Sequence, residues 1–307
     1  MNYLRRFIQN ILGSSGKIFS RGKESMVSDE HEFFTEIGKF KLLINPDHDL
    51  PFCLKQYPFY GTNLPRIAEV IKQKYPELIA IDIGANVGDT VALLRSREFF
   101  PIVCIEGNEK FYSFLLKNLE KFPETYPYKF FLSDKNIETS VSTLYQKGTF
   151  QIRTLTKENE NIEKLKFTTL DLFIQKNTQF EKAKLLKIDT DGFDLHVLKG
   201  GFQFIQKAKP IIFFEFDEVY FRLNGQVNYE WRKSLIEFGY NKIIFYDNFG
   251  HFLLSTELEN EKLIEQLILY ISKRDGAFNF YDLCVFHGED DAMASEIIQT
   301  EMEFFTT

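Results

Sequence analysis

The sequence predicts an α/β protein built on a doubly wound, mostly parallel β-sheet. Short apolar runs rich in β-branched and aromatic residues recur along the chain, and this composition is typical of strands buried on both faces. Segments with the 3.6-residue apolar period of a helix separate these runs. Because neighbouring parallel strands need a crossover connection, the alternation favours strand–helix–strand units that cover both faces of one sheet.

The predicted strands follow one another in a regular series. Five runs supply the main strands: "IAIDI" (79–83), "PIVCIE" (101–106), "YKFFLS" (128–133), "KLLKID" (184–189) and "PIIFFEF" (210–216). Two later runs, "NKIIFYD" (241–247) and "FYDLCVFH" (280–287), bring the sheet to seven strands. Helical patterns occupy "DTVALLRSR", "EKFYSFLLKNLEKF" and "DLHVLKG" between them. The polar residues 136–170 alternate around Gly148, which predicts a β-hairpin inserted before the fourth main strand.

Composition limits the classes of function. The chain has 307 residues, of which 44% are hydrophobic and 34 are Phe, enough for one large domain that we assign to residues 31–307. The net charge of −7 argues against a nucleic-acid partner. Cys53, Cys104 and Cys284 are far apart and form no CxxC pair, so neither a disulfide framework nor a zinc site is indicated. We expect Cys104 and Cys284 in the core of a cytoplasmic protein.

The sequence predicts a basic, amphipathic amino-terminal arm over residues 1–30. Apolar residues recur there at helical spacing: Tyr3, Leu4, Phe7, Ile8, Ile11 and Leu12. Five basic residues precede the first acid, Glu24. Two interpretations stay open: residues 1–24 contact an anionic inner membrane surface or a partner, or they form a frayed or core-docked terminal helix. No apolar run reaches the roughly 20 residues that span a bilayer.

A glycine-containing loop follows the first main strand, Gly84-Ala85-Asn86-Val87-Gly88. Ligands of open parallel sheets bind at the carboxyl ends of the strands, where glycine allows close approach of the backbone. Asn tolerates positive φ angles better than most residues. A helix that begins near Asp89 would direct its free N–H groups at the ligand. The pattern therefore predicts a cofactor loop that contains Gly84, Asn86 and Gly88.

Acidic residues around this loop indicate the kind of cofactor. Glu106 ends the second main strand, 18 residues after Gly88, where a carboxylate can accept hydrogen bonds from ribose hydroxyls. The dinucleotide fingerprint G-x-G-x-x-G fails, because Asn86 and Asp89 replace two of its glycines and Asp89 would repel a pyrophosphate. S-adenosyl-L-methionine carries no phosphate and has a cationic ammonium and sulfonium. Asp82 and Asp89 therefore favour this cofactor.

Four ordered blocks resemble the FkbM-type methyltransferases: "IDIGANVGDT", the turn "EGN" (106–108), "LLKIDTDGFDLHVLKGG" (185–201) and "KPIIFFE" (209–215). The resemblance covers about residues 60–290, which we take as the core of the domain. It implies a Rossmann-like class I methyltransferase fold and S-adenosylmethionine-dependent methylation, mostly of hydroxyl groups. The sequence departs from the family pattern at three positions: Gly107 stands where proline is common, and Asp191 and Asp194 stand where glutamates are usual.

The resemblance and the loop chemistry together define a predicted cofactor site. Its members are Asp82, Gly84, Asn86, Gly88, Glu106, Asn108, Ser133 and Asp134. Asn108 either buttresses the turn after Glu106 or caps the next helix. Ser133 and Asp134 end the third predicted strand, where this fold holds the adenine amino group, although an ordinary strand-end turn explains them equally.

Four polar residues are candidates for catalysis at the same edge of the sheet. Asp189 and Asp191 follow the fourth strand, where the cofactor methyl group is expected, and Asp189 is the first choice as general base. Helix capping near Phe193 is the alternative for both acids. Glu215 ends the fifth strand. His196 lies one turn into the helix, where we expect a solvated surface histidine rather than a base.

Other functions stay open at this point. We expect no resident metal, although Asp189 and Asp191 could hold a divalent cation. The D-x-D of Asp189-Thr190-Asp191 also occurs in metal-dependent glycosyltransferases, and a non-catalytic S-adenosylmethionine-binding module would keep the same loop. We expect O-methylation of a sugar or surface-glycan intermediate, with an acceptor pocket shaped by residues 136–170 and by the aromatic-rich residues 217–232.

Overall fold

A sheet of eight strands organises the computed structural model, which describes residues 32–153, 161–226 and 230–306. Its strands are β3 (Ala80–Ile83), β4 (Ile102–Ile105), β5 (Thr125–Tyr128), β10 (Leu185–Ile188), β11 (Ile211–Phe216), β12 (Tyr240–Asp247), β13 (Phe252–Glu257) and β14 (Tyr281–His287). Their spatial order is β13-β12-β14-β11-β10-β3-β4-β5. The strands from β5 to β11 are mutually parallel, and β14 joins β11 antiparallel.

Two smaller sheets accompany the central one in the described part of the chain. The first is a hairpin of β1 (Phe33–Ile37) and β2 (Phe40–Ile44). The second has the order β6-β9-β7-β8 and consists of β6 (Phe131–Leu132), β7 (Ile137–Gln146), β8 (Thr149–Arg153) and β9 (Asn161–Thr168). This second sheet includes the hairpin that the sequence predicts around Gly148, extended by β9.

Helices cover both faces of the central sheet. The described ones are α1 (Leu50–Gln56), α2 (Asn63–Lys74), α3 (Asp89–Arg95), α4 (Glu109–Leu119), α5 (Leu170–Lys176), α6 (Asp194–Lys199), α7 (Phe202–Ala208), α8 (Glu218–Leu223), α9 (Glu230–Glu237), α10 (Glu261–Ser272) and α11 (Asp291–Thr306). Helices α2, α3, α4 and α11 contribute to one apolar cluster, and α5, α6, α7, α9 and α10 contribute to the other.

Alternate apolar residues of the interior strands enter opposite clusters, as the predicted burial on both faces requires. On β11, Ile211 and Phe213 join one cluster, whereas Ile212 and Phe214 join the other. Cys104 and Cys284 are fully buried, as predicted. The topology confirms the Rossmann-like class I methyltransferase fold with its doubly wound, mostly parallel sheet, and β13 adds an eighth, antiparallel strand beside β12.

One strand lies at a different place from its prediction. The third main strand is Thr125–Tyr128, not residues 128–133, because "TYPY" pairs with β4 while Phe131 and Leu132 pair with β9 in the second sheet. The aromatic run 128–131 spans both segments, so its composition alone does not mark the break. The predicted arm, residues 1–30, lies outside the described residues. No helix among the residues described is long and apolar enough to cross a membrane.

Candidate active site

The carboxyl ends of β3, β4, β10 and β11 meet at one edge of the sheet. Strand β10 pairs in parallel with both β3 and β11, and Ile188 stands beside Ile83 and Phe214. The loops that follow Ile83 and Ile188 therefore leave the sheet side by side. The sheet brings the two predicted halves of the site, the cofactor loop and the acidic loop after β10, into direct contact.

Gly84 makes that contact through its backbone. Its φ is +81°, and a Cβ atom built on it would lie 1.7 Å from the carbonyl oxygen of Asp189. Its N–H and that of Ala85 both donate to the carbonyl oxygen of Ile105, at 2.9 and 3.0 Å. Only glycine fits this position, because any side chain would collide with the β10 loop and also strain the backbone.

Asn86 adopts the left-handed conformation that the sequence predicts, with φ of +46°. Its side chain contacts protein on two sides: Nδ2 donates to the carbonyl oxygen of Gly148 at 2.8 Å, and Oδ1 lies 3.3 Å from Nε2 of His48. Nδ1 of His48 accepts the backbone N–H of Leu50 at 3.1 Å, which leaves the ring proton on Nε2 for Asn86. Asn86 therefore ties the cofactor loop to the turn of the β7–β8 hairpin.

Glu106 lies directly after β4 and is almost fully buried. Oε2 accepts the backbone N–H of Asn86 at 2.9 Å, and Oε1 accepts that of Asn108 at 2.7 Å. Burial raises the pKa of Glu106 to about 7, although these two hydrogen bonds oppose the shift. Each oxygen keeps a second lone pair, so the carboxylate can hold the loop and still accept ribose hydroxyls.

Gly107 explains one departure from the family pattern. A Cβ atom at this position would lie 2.2 Å from the ring of Phe131. That ring stacks on Phe150 at a centroid distance of 5.8 Å and contacts Phe167 at 5.9 Å, so it has little room to move. Proline cannot occupy position 107 in this chain unless the aromatic packing shifts.

Asn108 caps helix α4, because its Oδ1 accepts the N–H groups of Lys110 and Phe111 at 3.0 and 3.1 Å. Its own backbone N–H binds Glu106. Of the two roles predicted for Asn108, the side chain performs the capping role and the backbone supports the turn. A cofactor contact by Asn108 stays a prediction.

Ser133 and Asp134 follow β6 rather than the third main strand. The hydroxyl of Ser133 lies 3.2 Å from Asp134 Oδ1, and Nδ1 of His196 lies 3.3 Å from the same oxygen. His196 also packs against the ring of Phe193 at 5.0 Å. The expectation of a solvated surface histidine is therefore wrong. Burial lowers the pKa of His196 despite Asp134, so the neutral ring is favoured near pH 7.

Lys187 is a buried cation that links the two loops. Its Nζ lies 3.1 Å from Asp82 Oδ1 and 3.3 Å from Asp189 Oδ2. Burial opposes the charge, but Asp82, Asp189 and Asp89 outweigh it and raise the pKa of Lys187. Burial raises the pKa of Asp82 to about 6, with Lys187 acting against the shift. The Asp189 side chain is 44% exposed, so it is accessible to a ligand from solvent.

Asp194 holds the acidic loop in shape. It is fully buried, and its two oxygens accept the N–H groups of Thr190 and Gly192, both at 3.1 Å. Asp191 has φ of +52° inside this loop. Helix α6 has no side-chain cap, so neither Asp189 nor Asp191 plays the capping role that the sequence left open. An Asp side chain at 194 already reaches both N–H groups, which explains why the shorter acid is sufficient there.

Further carboxyl groups gather beside Asp189. Glu215 stands opposite Asp282 of β14 in the sheet register, a neighbour that sequence reasoning missed. Burial, followed by the neighbouring acids, raises the pKa of Glu215 and of Asp191 well above the usual range. Burial likewise raises the pKa of Asp282 to about 8. Without a bound cation these three groups favour the neutral acid.

This arrangement suits S-adenosylmethionine. Asp82 Oδ2 is buried and has no hydrogen-bond partner among the described residues, so it is available to a ligand donor. Lys187 cannot neutralise all of the surrounding carboxyl groups, and a cationic ligand would complete the charge balance. Glu106 offers free lone pairs for ribose. The described residues contain no cluster of three or more His, Cys, Asp or Glu arranged to hold a metal ion.

The fold and the site define the class of protein as a methyltransferase that uses S-adenosylmethionine. The family model described as "Methyltransferase FkbM domain" matches residues 82–242, just over half of the chain. The chain therefore belongs to the FkbM methyltransferase family. A search of curated proteins found no match.

Several solved structures are similar to this chain. The methyltransferase FkbM from Methylobacillus flagellatus KT is 16% identical, with a TM-score of 0.33 over 47% of this chain and 33% of its own. The precorrin-6y C5,15-methyltransferase from Geobacter metallireducens GS-15 is 13% identical, with a TM-score of 0.35 over 73% of this chain and 86% of its own. A putative caffeoyl-CoA O-methyltransferase from Staphylococcus aureus is 10% identical, with a TM-score of 0.38 over 73% of this chain and 82% of its own. The match to the first of these spans about a third of that chain's length.

Proposed function

We propose that this protein transfers the methyl group of S-adenosylmethionine to a hydroxyl oxygen of a sugar or surface-glycan intermediate, with Asp189 as the general base. The observation that carries the proposal is the environment of Asp189. Its carboxylate is half-exposed at the carboxyl end of β10 and lies 3.3 Å from the Lys187 ammonium. The neighbouring Asp191 and Glu215 favour the protonated form.

A carboxylate beside an ammonium is a suitable proton acceptor for a hydroxyl group. An alcohol is a weak nucleophile with a high pKa, so its proton must leave as the carbon–oxygen bond forms. Bound S-adenosylmethionine supplies the methyl group. Oδ2 of Asp189 faces Lys187, which leaves Oδ1 to take the proton from the acceptor hydroxyl. Lys187 holds the carboxylate in place, and fixed orientation supplies much of the rate.

The surroundings of Asp189 favour a hydroxyl-rich acceptor. The hairpin strand β8 reaches this region. The backbone N–H of Phe150 contacts Asp191, and the side chain of Gln151 contacts Tyr220. Carboxyl, amide and phenol groups together offer both donors and acceptors for sugar hydroxyls. We therefore assign the acceptor pocket to the hairpin and to α8, as the sequence predicts for residues 136–170 and 217–232.

Single-turnover methyl transfer to a panel of sugar acceptors tests the proposal on Asp189→Asn. This variant keeps the size of the side chain but cannot accept a proton. We expect turnover to fall roughly 10²- to 10⁴-fold while S-adenosylmethionine affinity changes by less than about fivefold. Asp275→Asn is the matched control, because it makes the same substitution at an exposed residue that follows helix α10.

Three outcomes would count against the assignment. Near-normal turnover in folded Asp189→Asn would show that Asp189 is not the general base and would make Glu215 the next candidate. A wild-type protein that binds S-adenosylmethionine but methylates no sugar in the panel would reject the acceptor class. Loss of activity with a chelator and its return with a divalent cation would assign Asp189 to metal binding instead.

We also propose that the amino-terminal arm contacts the cytoplasmic surface of the inner membrane. Five basic residues before Glu24 and an apolar helical pattern support it. Full-length protein should pellet with anionic vesicles and be released by salt, whereas a protein lacking residues 1–24 should stay in the supernatant. Equal behaviour of the two proteins would favour the terminal-helix interpretation.

A further inference from the structure

A cavity lies at the β5 edge of the central sheet. Its volume is about 570 Å³, within the range of small-molecule sites. Residues 128–131, the end of β9 and helix α5 line it, together with Gly107. Among the residues that line it, Gly107 alone belongs to the loops around the predicted cofactor site, and none of those described is acidic.

One wall of this edge cavity is aromatic. Tyr128, Phe130 and Phe131 line it and are partly exposed. Phe173 supports Tyr128 and Phe130 from the core at centroid distances of 4.9 and 5.4 Å, and buried Phe167 supports Phe131. Rings held in this way offer rigid faces to a flat ligand ring at little conformational cost.

The rim of the edge cavity is basic. Lys129, Lys166 and Lys176 line it, and all three are exposed. Lys129 pairs with Glu109, whose side chain is itself well exposed. Lys166 and Lys176 make no ion pair within the described residues. Glu138, which faces Lys166 across the β7–β9 ladder, pairs instead with Lys164 at 2.9 Å. A net basic rim in a chain of charge −7 selects an anionic ligand.

The edge cavity is separate from the acidic end of the active site. Strand β5 is three strands from β10 in the sheet order, which corresponds to roughly 14 Å at about 4.8 Å per strand. The acids around Asp189 would repel phosphate, whereas the rim lysines attract it. The two sites therefore suit ligands of opposite charge.

We propose that the edge cavity binds a nucleoside diphosphate. The base stacks on the ring faces of Tyr128, Phe130 and Phe131, and the phosphates pair with Lys166 and Lys176. Aromatic stacking accepts any base because each has a flat π face. Lysine supplies charge-assisted hydrogen bonds to phosphate oxygens. This site is independent of the methyl transfer proposed above.

Calorimetric titration of full-length protein with UDP tests the proposal. Saturating S-adenosylhomocysteine is present throughout, so that the cofactor site is occupied. We expect one UDP per chain, with uridine and pyrophosphate each binding at least about tenfold more weakly because each lacks half of the contacts. Lys166→Glu and Lys176→Glu should each weaken UDP binding at least about tenfold.

Lys262→Glu is the matched control for these substitutions. It makes the same charge change at an exposed residue of α10, a helix that contacts β14 through the 2.9 Å bond from the Tyr281 hydroxyl to the Leu267 carbonyl oxygen. It should leave UDP affinity unchanged. Absence of UDP binding at millimolar concentration, equal binding of pyrophosphate, or an equal loss with Lys262→Glu would each overturn the proposal.

Discussion

The Glu106 carboxylate accepts the backbone N–H of Asn86 at 2.9 Å. One oxygen of the residue predicted to bind ribose thus also fixes the left-handed turn of the cofactor loop. The second oxygen binds the N–H of Asn108. Changes at Glu106 should therefore affect both the ligand and the loop, and the choice of substitution separates the two effects.

Glu106→Gln removes the charge and keeps one acceptor oxygen, so only one of the two backbone N–H groups loses its acceptor. We expect S-adenosylmethionine affinity to fall roughly 10- to 150-fold, since a charge-assisted hydrogen bond contributes about 1.5–3 kcal/mol. Calorimetry measures the change. Glu106→Ala should lose stability as well, because it leaves the two N–H groups without their acceptor. Glu109→Gln, an exposed residue three positions away, is the control, and unchanged binding in folded Glu106→Gln would reject the ribose assignment.

Cofactor binding should release protons. The pKa values of Asp82, Glu106 and Asp194 are raised to about 6, 7 and 7 by burial. A cationic ligand beside these groups favours their ionised forms and lowers the pKa values. Titration with S-adenosylmethionine near pH 6.5, in buffers of different ionisation enthalpy, measures the number of protons released. Heats that do not depend on the buffer would contradict this prediction.

The raised pKa values of Asp82, Glu106 and Asp282 predict how stability depends on pH in the ligand-free protein. The folded state binds protons more tightly than the unfolded state, so these acids contribute stability that is complete below about pH 4 and is lost as pH rises through about 6 to 8. The free energy of unfolding in urea should therefore fall between pH 5 and pH 8. Saturating S-adenosylmethionine should flatten this dependence; a stability that rises over this range without ligand would disagree.

Gly107→Ala should destabilise the protein through Phe131. The added Cβ would lie 2.2 Å from the ring, and overpacking of this kind costs about 1–3 kcal/mol. Urea denaturation measures the loss. In a Phe131→Leu background the same substitution should cost clearly less, because the smaller side chain can move away. Equal costs in the two backgrounds would show that the ring is not the obstacle.

Asn86→Ala and Asn86→Gly separate the two contributions of Asn86. Both variants lose the hydrogen bonds to His48 and Gly148, but only alanine is strained at φ of +46°. We expect Asn86→Ala to be less stable than Asn86→Gly by about 1–2 kcal/mol and to bind the cofactor more weakly. Denaturation curves and calorimetry on both variants give these numbers. Identical behaviour would mean that the backbone conformation of the loop changes freely.

The local sequence pattern was sufficient to predict the main sheet and the cofactor loop. Continuous apolar runs mark strands buried on both faces. The residue after Ile83 is a glycine, and those after Ile105 and Ile188 are acids, which marks this edge as the site. The third strand was misplaced because both "TYPY" and "FFL" are apolar and aromatic. Which of them joins β4 depends on β9, which lies more than 30 residues later.

Long-range contacts account for what the sequence did not reveal about the site. His48 lies 38 residues before Asn86, and Asp282 lies 67 residues after Glu215. Neither stands in a recognisable motif. Only the folded chain shows that His48 faces Asn86 and that Asp282 faces Glu215. Likewise, His196 of helix α6 pairs with Asp134, a residue 62 positions earlier in the turn that follows β6.

The excess of carboxyl groups over the Lys187 ammonium has a consequence for turnover. Methyl transfer converts the sulfonium of the cofactor into a neutral thioether, so the spent cofactor carries one positive charge less than the one that entered. At an edge where Asp82, Asp189 and Glu215 gather, that lost charge weakens the attraction. The chemical step itself thus favours the departure of S-adenosylhomocysteine and its exchange for a fresh donor molecule.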